Sequence, residues 1–594
     1  MRLFYLAAAL VLTFSAQSAA AQQACPQGTG PVTVYFARKI ITMDTAAATA
    51  TAVAVDDTLI AAVGDSADFV GAQSAGCTID RTYQQQVLMP GFVEAHTHLQ
   101  LYGLFARVPY VGYYDRPGPN GTTLRGITTW EGVRDTLTAL ANASPAPTTL
   151  FAYGVDPIYW DTRLTADSLN AISTTVPILL QLGSGHIVVG NDTMIALVRQ
   201  QASWQAMVDS GYVVMEADGS TPTGELDELM AVEAAFEAIH TAGNEFLTLE
   251  AFGQAVSDGA MMMQGAGITT ATEMAFGLPH PLARIWERGL YNRKMSSLPM
   301  RVVLAYNSYV LQQSGGNIAS ILRRAKQRDT PHVWTGPLKV VFDGSIQGYT
   351  ARVDSGYYDP AGTPNPIWNV GPGNPLYDLI QPVWAAGFSI AIHVNGDQAS
   401  EEALAVIQEA TDSAAQNRVT LEHDQMATLE DFVATAKAGV TVNLFTPHLY
   451  YYGDQHRTIT LGPERAARMN NAYWADSLGI PFSLHSDAPV TPAQPLFAAW
   501  TAVARTTPSG AVLGPEYGIP VERALWAITM GGATLLGLQD RIGSITLGKL
   551  ADFVVLDTDP TAVPDLRTVN VCATVFLGQP YPVTGAGGAC PGAQ

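Results

Sequence analysis

The chain has 594 residues, 47% hydrophobic and 14% charged, against roughly 25% charged in ordinary globular proteins, which excludes a disordered protein. Lys and Arg number 31 against 52 Asp and Glu, a net charge of −21, so nucleic acid and anionic membrane surfaces are excluded as partners. That length accommodates one large domain and a smaller one.

The first residues, "MRLFYLAAALVLTFSAQSAAAQQ", carry Arg2, an apolar run from Leu3 to Phe14 and then Ala19-Ala20-Ala21, the three parts of a cleavable signal spanning 1–21. The run is too short for a bilayer, which needs about 20 residues, and "QQAC" lacks the Leu usual three positions before a lipoprotein cysteine. The expected location is the periplasm or the external medium, where disulfides persist. Four cysteines, Cys25, Cys77, Cys572 and Cys590, allow three pairings. They lie far from the histidine-bearing segments and are read as structural, and their clustering hints that both chain ends build one small domain.

Residues 22–90 contain β-rich runs such as "PVTVYFARKIITM" and "ATAVAVDDTLIAAVG", and residues 536–594 contain similar ones, "RIGSITLGKLADFVVLDTDP" and "RTVNVCATVFLGQPYPV". Short strands with turn punctuation predict a small β-sandwich made from both ends. Between them, residues 91–535 alternate apolar strand-like runs with amphipathic stretches such as "ASEEALAVIQEATDSAAQ", the pattern of parallel βαβ units. The strand candidates are "GFVEAHTHL", "TLFAYGVD", "PILLQLGSGH", "GITTATEM", "RVVLAYN", "LKVVFDG", "FSIAIHVNG", "RVTLEHDQ", "VTVNLFTP" and "PFSLHSD". The fold class is therefore α/β, a (β/α)8 TIM-type barrel; an open doubly wound sheet is the alternative, without a Gly-x-Gly-x-x-Gly to support it. Residues 105–145 and 205–260 read as insertions.

Polar residues sit near the ends of these strands. His96 and His98, one residue apart, share a face of the first. Lys339, His393, His423 and Asp487 each follow an apolar run and precede Gly, Asp, Asn or Pro, and barrel active sites are drawn from the C-terminal ends of several strands. Buried unpaired imidazoles and charges are costly; a shared divalent cation resolves several at once, and imidazole and carboxylate are zinc ligands. Each histidine taken singly is better read as an ordinary core residue, whereas the ordered set favours a metal centre.

With "LMPGFVEAHTHL", "DGSTPTGELDELM", "GPLKVVFDGSIQGYTAR", "IAIHVNGDQASEEAL", "RVTLEHDQ", "HSDAPV" and "GGATLLGLQDRIGSITLGKLADFVVLDTDP" in place, the mature chain resembles the metal-dependent amidohydrolase superfamily, in its YtcJ-like (amidohydrolase 3) branch. The resemblance implies that His96 and His98 bind one zinc and His393 and His423 a second. It further implies that Lys339 bridges both as its carbon dioxide adduct, a carbamate, and that Asp487 contacts the first metal. Lysine suits this role because burial lowers its pKa and frees the amine. The alternative for Lys339 is an ion pair with Asp343, and for Asp487 a loop cap before Pro489. Two metals roughly 3.5–4 Å apart lower the pKa of a shared water, with Asp487 as proton carrier. His186 is implied to contact substrate, a plain loop histidine being the rival reading.

His448, His456 and the run "LYYYGDQH" read as a loop over the barrel mouth, or as ordinary surface; Glu225 and Glu273 are unassigned, and His240, His280 and His332 read as bystanders. Three departures from the branch are "IQGYTAR" after "FDGS", Glu94 where Asp is common, and His485 where Gly is frequent; the first and last bear on substrate choice or on support of the ligands and leave the metal set intact. The expected activity is hydrolysis of non-peptide carbon–nitrogen bonds in a small-molecule substrate, such as linear or cyclic amides or N-acyl amines. Esters, lactones or dipeptides are the second reading and a catalytically silent metal-binding or regulatory protein the third, with a homodimer left open.

Overall fold

Eight short strands run parallel in one sheet: Phe92–Thr97 (β1), Ile268–Phe276 (β2), Arg301–Asn307 (β3), Val333–Val341 (β4), Ile390–Val394 (β5), Val419–His423 (β6), Thr441–Leu444 (β7) and Phe482–Leu484 (β8), each paired with the next in chain order. The computed structural model describes residues 25–26, 30–143, 148–160, 163–242, 248–277, 283–313, 317–358, 376–411, 415–416, 418–583 and 590; residues 1–21 and His280 lie outside them. Most of these strands are buried along their whole length, as expected where helices cover a parallel sheet. Helix Leu429–Ala438 shows how the local sequence stops and starts these units. Thr428 and Asp431 form a reciprocal cap at its start, Gly439 takes φ 62° just past its end, and Phe432 enters the core. Such a cap is worth about 1 kcal/mol.

The barrel is nearly closed. β8 and β1 share no ladder; instead the turn after β8 bonds to β1 and the residue after it. Ser486 donates from N and Oγ to Glu94 (3.1 and 3.0 Å), Thr97 Oγ1 donates to the Ala488 carbonyl (3.1 Å), and His98 N donates to the same oxygen (2.8 Å).

Both chain ends contribute to one eight-stranded mixed sheet, in which Phe553–Leu556 pairs with Val87–Pro90, and Val87–Pro90 with Val32–Ile41. Its two faces bury separate clusters, one holding Tyr35, Val53 and Phe553, the other Val34, Phe36 and Phe69. Disulfides join Cys25 to Cys77 and Cys572 to Cys590. Arg301, the first residue of β3, donates to Asp552 Oδ2 at 2.8 Å and to Thr270 Oγ1 at 3.0 Å, both fully buried. This places the sheet at the end of the barrel where strands begin, opposite the catalytic rim. No helix among the described residues is long and apolar enough to cross a membrane.

Two expectations change. "TLFAYGVD" and "PILLQLGSGH" are not barrel strands: Leu150–Val155 and Ile178–Leu182 pair in a separate five-stranded sheet with Ile187–Gly190, Pro222–Asp227 and Val213–Met215. An apolar β run looks the same in either sheet, because its pairing partner is remote in sequence. The insertion between β1 and β2 is thus one unit with its own cores, larger than the two pieces expected. Conversely, helix Leu249–Gly265, which overlaps the end of the expected second insertion, packs against helix Leu99–Phe105 beside the barrel. A β-carbon on Gly103 or Gly259 would collide with the facing backbone, so glycine sets how closely these helices approach.

Candidate active site

All six expected ligands, together with His186, line one cavity of about 160 Å³ at the C-terminal rim. β1 delivers His96, His98 follows it, β4 carries Lys339, β5 His393, β6 His423, and the turn after β8 Asp487. Nε2 of both His96 and His98 lies 3.2 Å from Asp487 Oδ1, and His423 Nδ1 lies 3.8 Å from Oδ2. The His423 ring is 4.6 Å from that of His96 and 4.5 Å from that of His393. Residues up to 391 positions apart in sequence therefore converge on one point.

Neighbouring groups fix the ring orientations. His96 Nδ1 lies 2.7 Å from Glu422 Oε2, which turns Nε2 toward Asp487. Asn443 Nδ2 donates to the same carboxylate oxygen at 2.8 Å. His393 Nε2 lies 3.3 Å from the Gly344 carbonyl, which frees Nδ1. Imidazoles that ligate metals are oriented by such partners. Burial pushes His393 and His423 well below the ordinary imidazole range, so both are neutral and carry lone pairs. Burial would raise the Asp487 carboxyl, but His96 and then His98 hold it well below the usual carboxylate range.

The donor set fits a metal. Lys339 Nζ, both nitrogens of His423, His98 Nδ1 and Asp487 Oδ1 are shut off from solvent without a hydrogen-bond partner. Native proteins rarely leave one such atom orphaned. Ligand atoms of His96, His98 and Asp487 lie within 4.8 Å of one another, a spacing that one cation could bridge. Burial lowers the Lys339 amine to about 8, with Glu422 and then Asp487 pulling the other way. The alternative ion pair with Asp343 is not formed: that carboxylate accepts backbone N–H groups of Asn395, Gly396 and Arg352 at 2.8–3.0 Å.

A model of the amidohydrolase family matches residues 84–581. The chain belongs to that family. It is a metal-dependent hydrolase of carbon–nitrogen bonds. It is 24% identical to the putative amidohydrolase YtcJ of Bacillus subtilis over 539 residues, covering 89% of this chain and 95% of that protein. It is also 24% identical to the N-substituted formamide deformylase of Arthrobacter pascens over 574 residues, covering 90% and 96%. In fold it is similar to an uncharacterized metal-dependent hydrolase of Pyrococcus horikoshii, with TM-score 0.67 and 20% identity over 90% of this chain and 99% of that one.

Within this amidohydrolase the remaining expected residues fall as follows. His186 faces the cavity, its ring 5.0 Å from that of His393, and its Nδ1 is 3.0 Å from Glu228 Oε2. Burial alone would lower His186, but Glu228 raises it above the ordinary value. Glu273 also lines the cavity, accepting from Gln100 N, Ala275 N and Tyr291 Oη at 2.8–2.9 Å. Glu225 lies on strand Pro222–Asp227 away from the cavity. His448 and His456 belong neither to the mouth nor to the surface. Both are buried and stack 4.9 Å apart behind Phe445. Tyr450 and Tyr451 pack on Tyr114 of the insertion rather than lining the cavity. His485 is fully buried, stacked between His96 and Phe445 at 4.8 and 4.9 Å. A ring nitrogen of His485 lies within 4.8 Å of ligand nitrogens of His96 and His423, and both its nitrogens are buried without a hydrogen-bond partner, so this residue, too, could join a metal-binding set. His240 is exposed and His332 bonds the Met300 carbonyl region, both outside the cavity.

Sequence reasoning missed the groups that hold these residues. Glu422 stands beside His423 in "RVTLEHDQ", where a charged residue inside an apolar strand was the available signal. Arg116 and Tyr153 of the insertion carried none. Arg116 donates to Tyr153 Oη (2.6 Å), to the Pro489 carbonyl (2.7 Å) and to the Val490 carbonyl (3.0 Å), and Tyr153 Oη also bonds Pro489. The turn bearing Asp487 is thus gripped by Glu94 and Thr97 from the barrel and by Arg116 and Tyr153 from the insertion.

Proposed function

We propose that the protein is an exported, zinc-dependent hydrolase of non-peptide carbon–nitrogen bonds, acting on N-acyl amines or linear or cyclic amides. The observation that carries this reading is the convergence of His96, His98, His393, His423, Lys339 and Asp487 on one cavity, with buried polar atoms of Lys339, His423, His98 and Asp487 left without hydrogen-bond partners. His96 and His98 would hold one zinc and His393 and His423 a second. Lys339, once its free amine had added carbon dioxide and released a proton to solvent, would supply a carbamate as a further anionic ligand to them. Such a pair supplies an activated water and a polarised carbonyl.

The chain's own groups do the rest. Asp487 Oδ1, between the Nε2 atoms of His96 and His98, receives the proton of the attacking water and delivers it to the departing nitrogen, general base and then general acid. His186, whose pKa Glu228 raises against the effect of burial, donates to the carbonyl oxygen as negative charge builds there. Glu422 holds His96 in the tautomer that presents Nε2. The deformylase relative, whose name describes cleavage of N-substituted formamides, supports N-acyl amines as the substrate class. Export is supported by the N-terminal segment and by the two disulfides; N-terminal sequencing of protein from the native host is expected to begin after Ala21.

The deciding experiment pairs elemental analysis with a panel of N-acyl amines, hydantoin-like rings, dipeptides, esters and lactones. About two zinc ions per chain and turnover confined to amides of the first two groups are expected. One ion with an unmodified Lys339, or turnover of esters alone, would overturn the reading.

A further inference from the structure

The cavity walls away from the ligand set are apolar. Leu101, Leu104 and Phe105 come from the helix after β1, and Leu229, Val232 and Phe236 from helix Glu228–Thr241 of the insertion. On that second helix, residues 229, 232, 233 and 236 form one stripe at the spacing of a single helical face. Three of its four members are apolar. The fourth is Glu233, which places a carboxyl within a hydrophobic wall.

Every other acid lining the cavity has partners. Glu228 meets His186, Glu273 accepts three hydrogen bonds, and Asp487 lies among the histidines. Glu233, partly exposed as a residue, has its Oε1 shut off from solvent with no hydrogen-bond partner, as Asp487 Oδ1 has, but without the imidazoles that stand beside Asp487. Burying a carboxylate without compensation is costly, and no capping or packing need of the helix calls for one there. A residue that breaks the local pattern in this way marks a functional position. Among the described residues lining the cavity there is no arginine, and the one lysine is Lys339 beside the ligands. A substrate carboxylate would therefore find no side-chain cation beyond the metal centre, and would meet Glu233 as a like charge.

Resting on the amide-hydrolase reading above, we propose that Glu233 is the specificity-determining residue of this site: it accepts hydrogen bonds from a cationic amino group carried on an apolar spacer from the scissile amide, and the pocket rejects substrates that end in a carboxylate. The apolar stripe on either side of Glu233 takes the spacer, and the ammonium supplies the donors that the carboxyl lacks. Burial holds the Glu233 carboxyl up at about 8 in the empty pocket, and a bound cation draws it to its anion. The substrate class is then an N-acyl amine bearing a second, free amine, in preference to N-acyl amino acids and dipeptides.

Hydroxamates chelate divalent metals without being cleaved as amides, so they separate recognition from turnover. Binding of hexanohydroxamate, ω-aminohexanohydroxamate and the monohydroxamate of adipic acid is measured by calorimetry on the zinc-loaded full chain and on Glu233→Gln and Glu233→Leu. The wild type is expected to bind the amino compound at least about tenfold tighter than its methyl-terminated counterpart, the scale of one hydrogen-bonded charge, and the carboxylate compound most weakly. In Glu233→Gln that preference is expected to fall to about twofold or less, and in Glu233→Leu to reverse. A wild type without the preference, or a preference that survives in Glu233→Gln, overturns the proposal. Hydroxamate discrimination without cleavage of any amide would count against the amide-hydrolase reading alone. Amide cleavage without discrimination would count against Glu233 alone.

Discussion

Arg116 lies in the insertion, yet its guanidinium holds the turn that carries Asp487. Replacing it with alanine removes two charge-assisted hydrogen bonds to the carbonyls of Pro489 and Val490, each worth about 1.5–3 kcal/mol. The local restraint lost is therefore on the order of 3–6 kcal/mol, reduced by whatever water enters the space. Asp487 itself sits at φ 51°, a left-handed backbone position that surrounding contacts must maintain. With the clamp released on one side, the barrel-side bonds from Ser486, Thr97 and His98 remain, so the turn shifts rather than unfolds. A displacement of about 1 Å at a reacting group costs about 100-fold in rate. Arg116→Ala is accordingly expected to lower kcat by about two orders of magnitude with KM and zinc content close to wild type. Arg116→Lys, which keeps the charge but not the fork of donors, should fall in between. Millimolar guanidinium should restore part of the rate in the alanine variant by refilling the site. Steady-state kinetics on the best amide of the panel, with elemental analysis of the same preparation, reads all three. A kcat within about twofold of wild type, or loss of zinc in step with activity, would refute the clamp.

Three further outcomes follow from the site. Asp487→Asn keeps an oxygen beside His96 and His98 but cannot carry the proton. Turnover should drop by about 10²–10⁴-fold while elemental analysis shows most of the metal retained. Lys339 reacts with carbon dioxide only as the free amine, and its lowered value of about 8 means the free fraction grows as pH rises through that point. Reactivation of metal-stripped protein with zinc and bicarbonate should therefore quicken between pH 7 and 9; a rate indifferent to bicarbonate would exclude the carbamate. Glu422→Gln weakens the bond that orients His96, and zinc affinity measured by chelator competition should fall by about 10–100-fold.

Much of the barrel was legible because its strands are short apolar runs ending in ligand residues. Strand geometry forces His96 and His98 to one side, and burial makes Lys339, His393, His423 and Asp487 conspicuous in their runs. The insertion was legible only in part. "TLFAYGVD" and "PILLQLGSGH" have the composition of barrel strands, and what assigns them elsewhere is pairing with Ile187–Gly190 and Pro222–Asp227, a contact chosen by the folded whole.

The sequence by itself carried the candidate chemistry: which side chains could bind a metal, which acid could carry a proton, and that they lie at or near the ends of five of the eight barrel strands. Only the tertiary structure decided what surrounds that chemistry, since the Arg116 grip on the Asp487 turn and the Glu233 wall arise where the insertion meets the barrel rim. Periodicity along a chain records which face of an element is buried. It does not record which remote element buries it, and that choice is made by long-range packing.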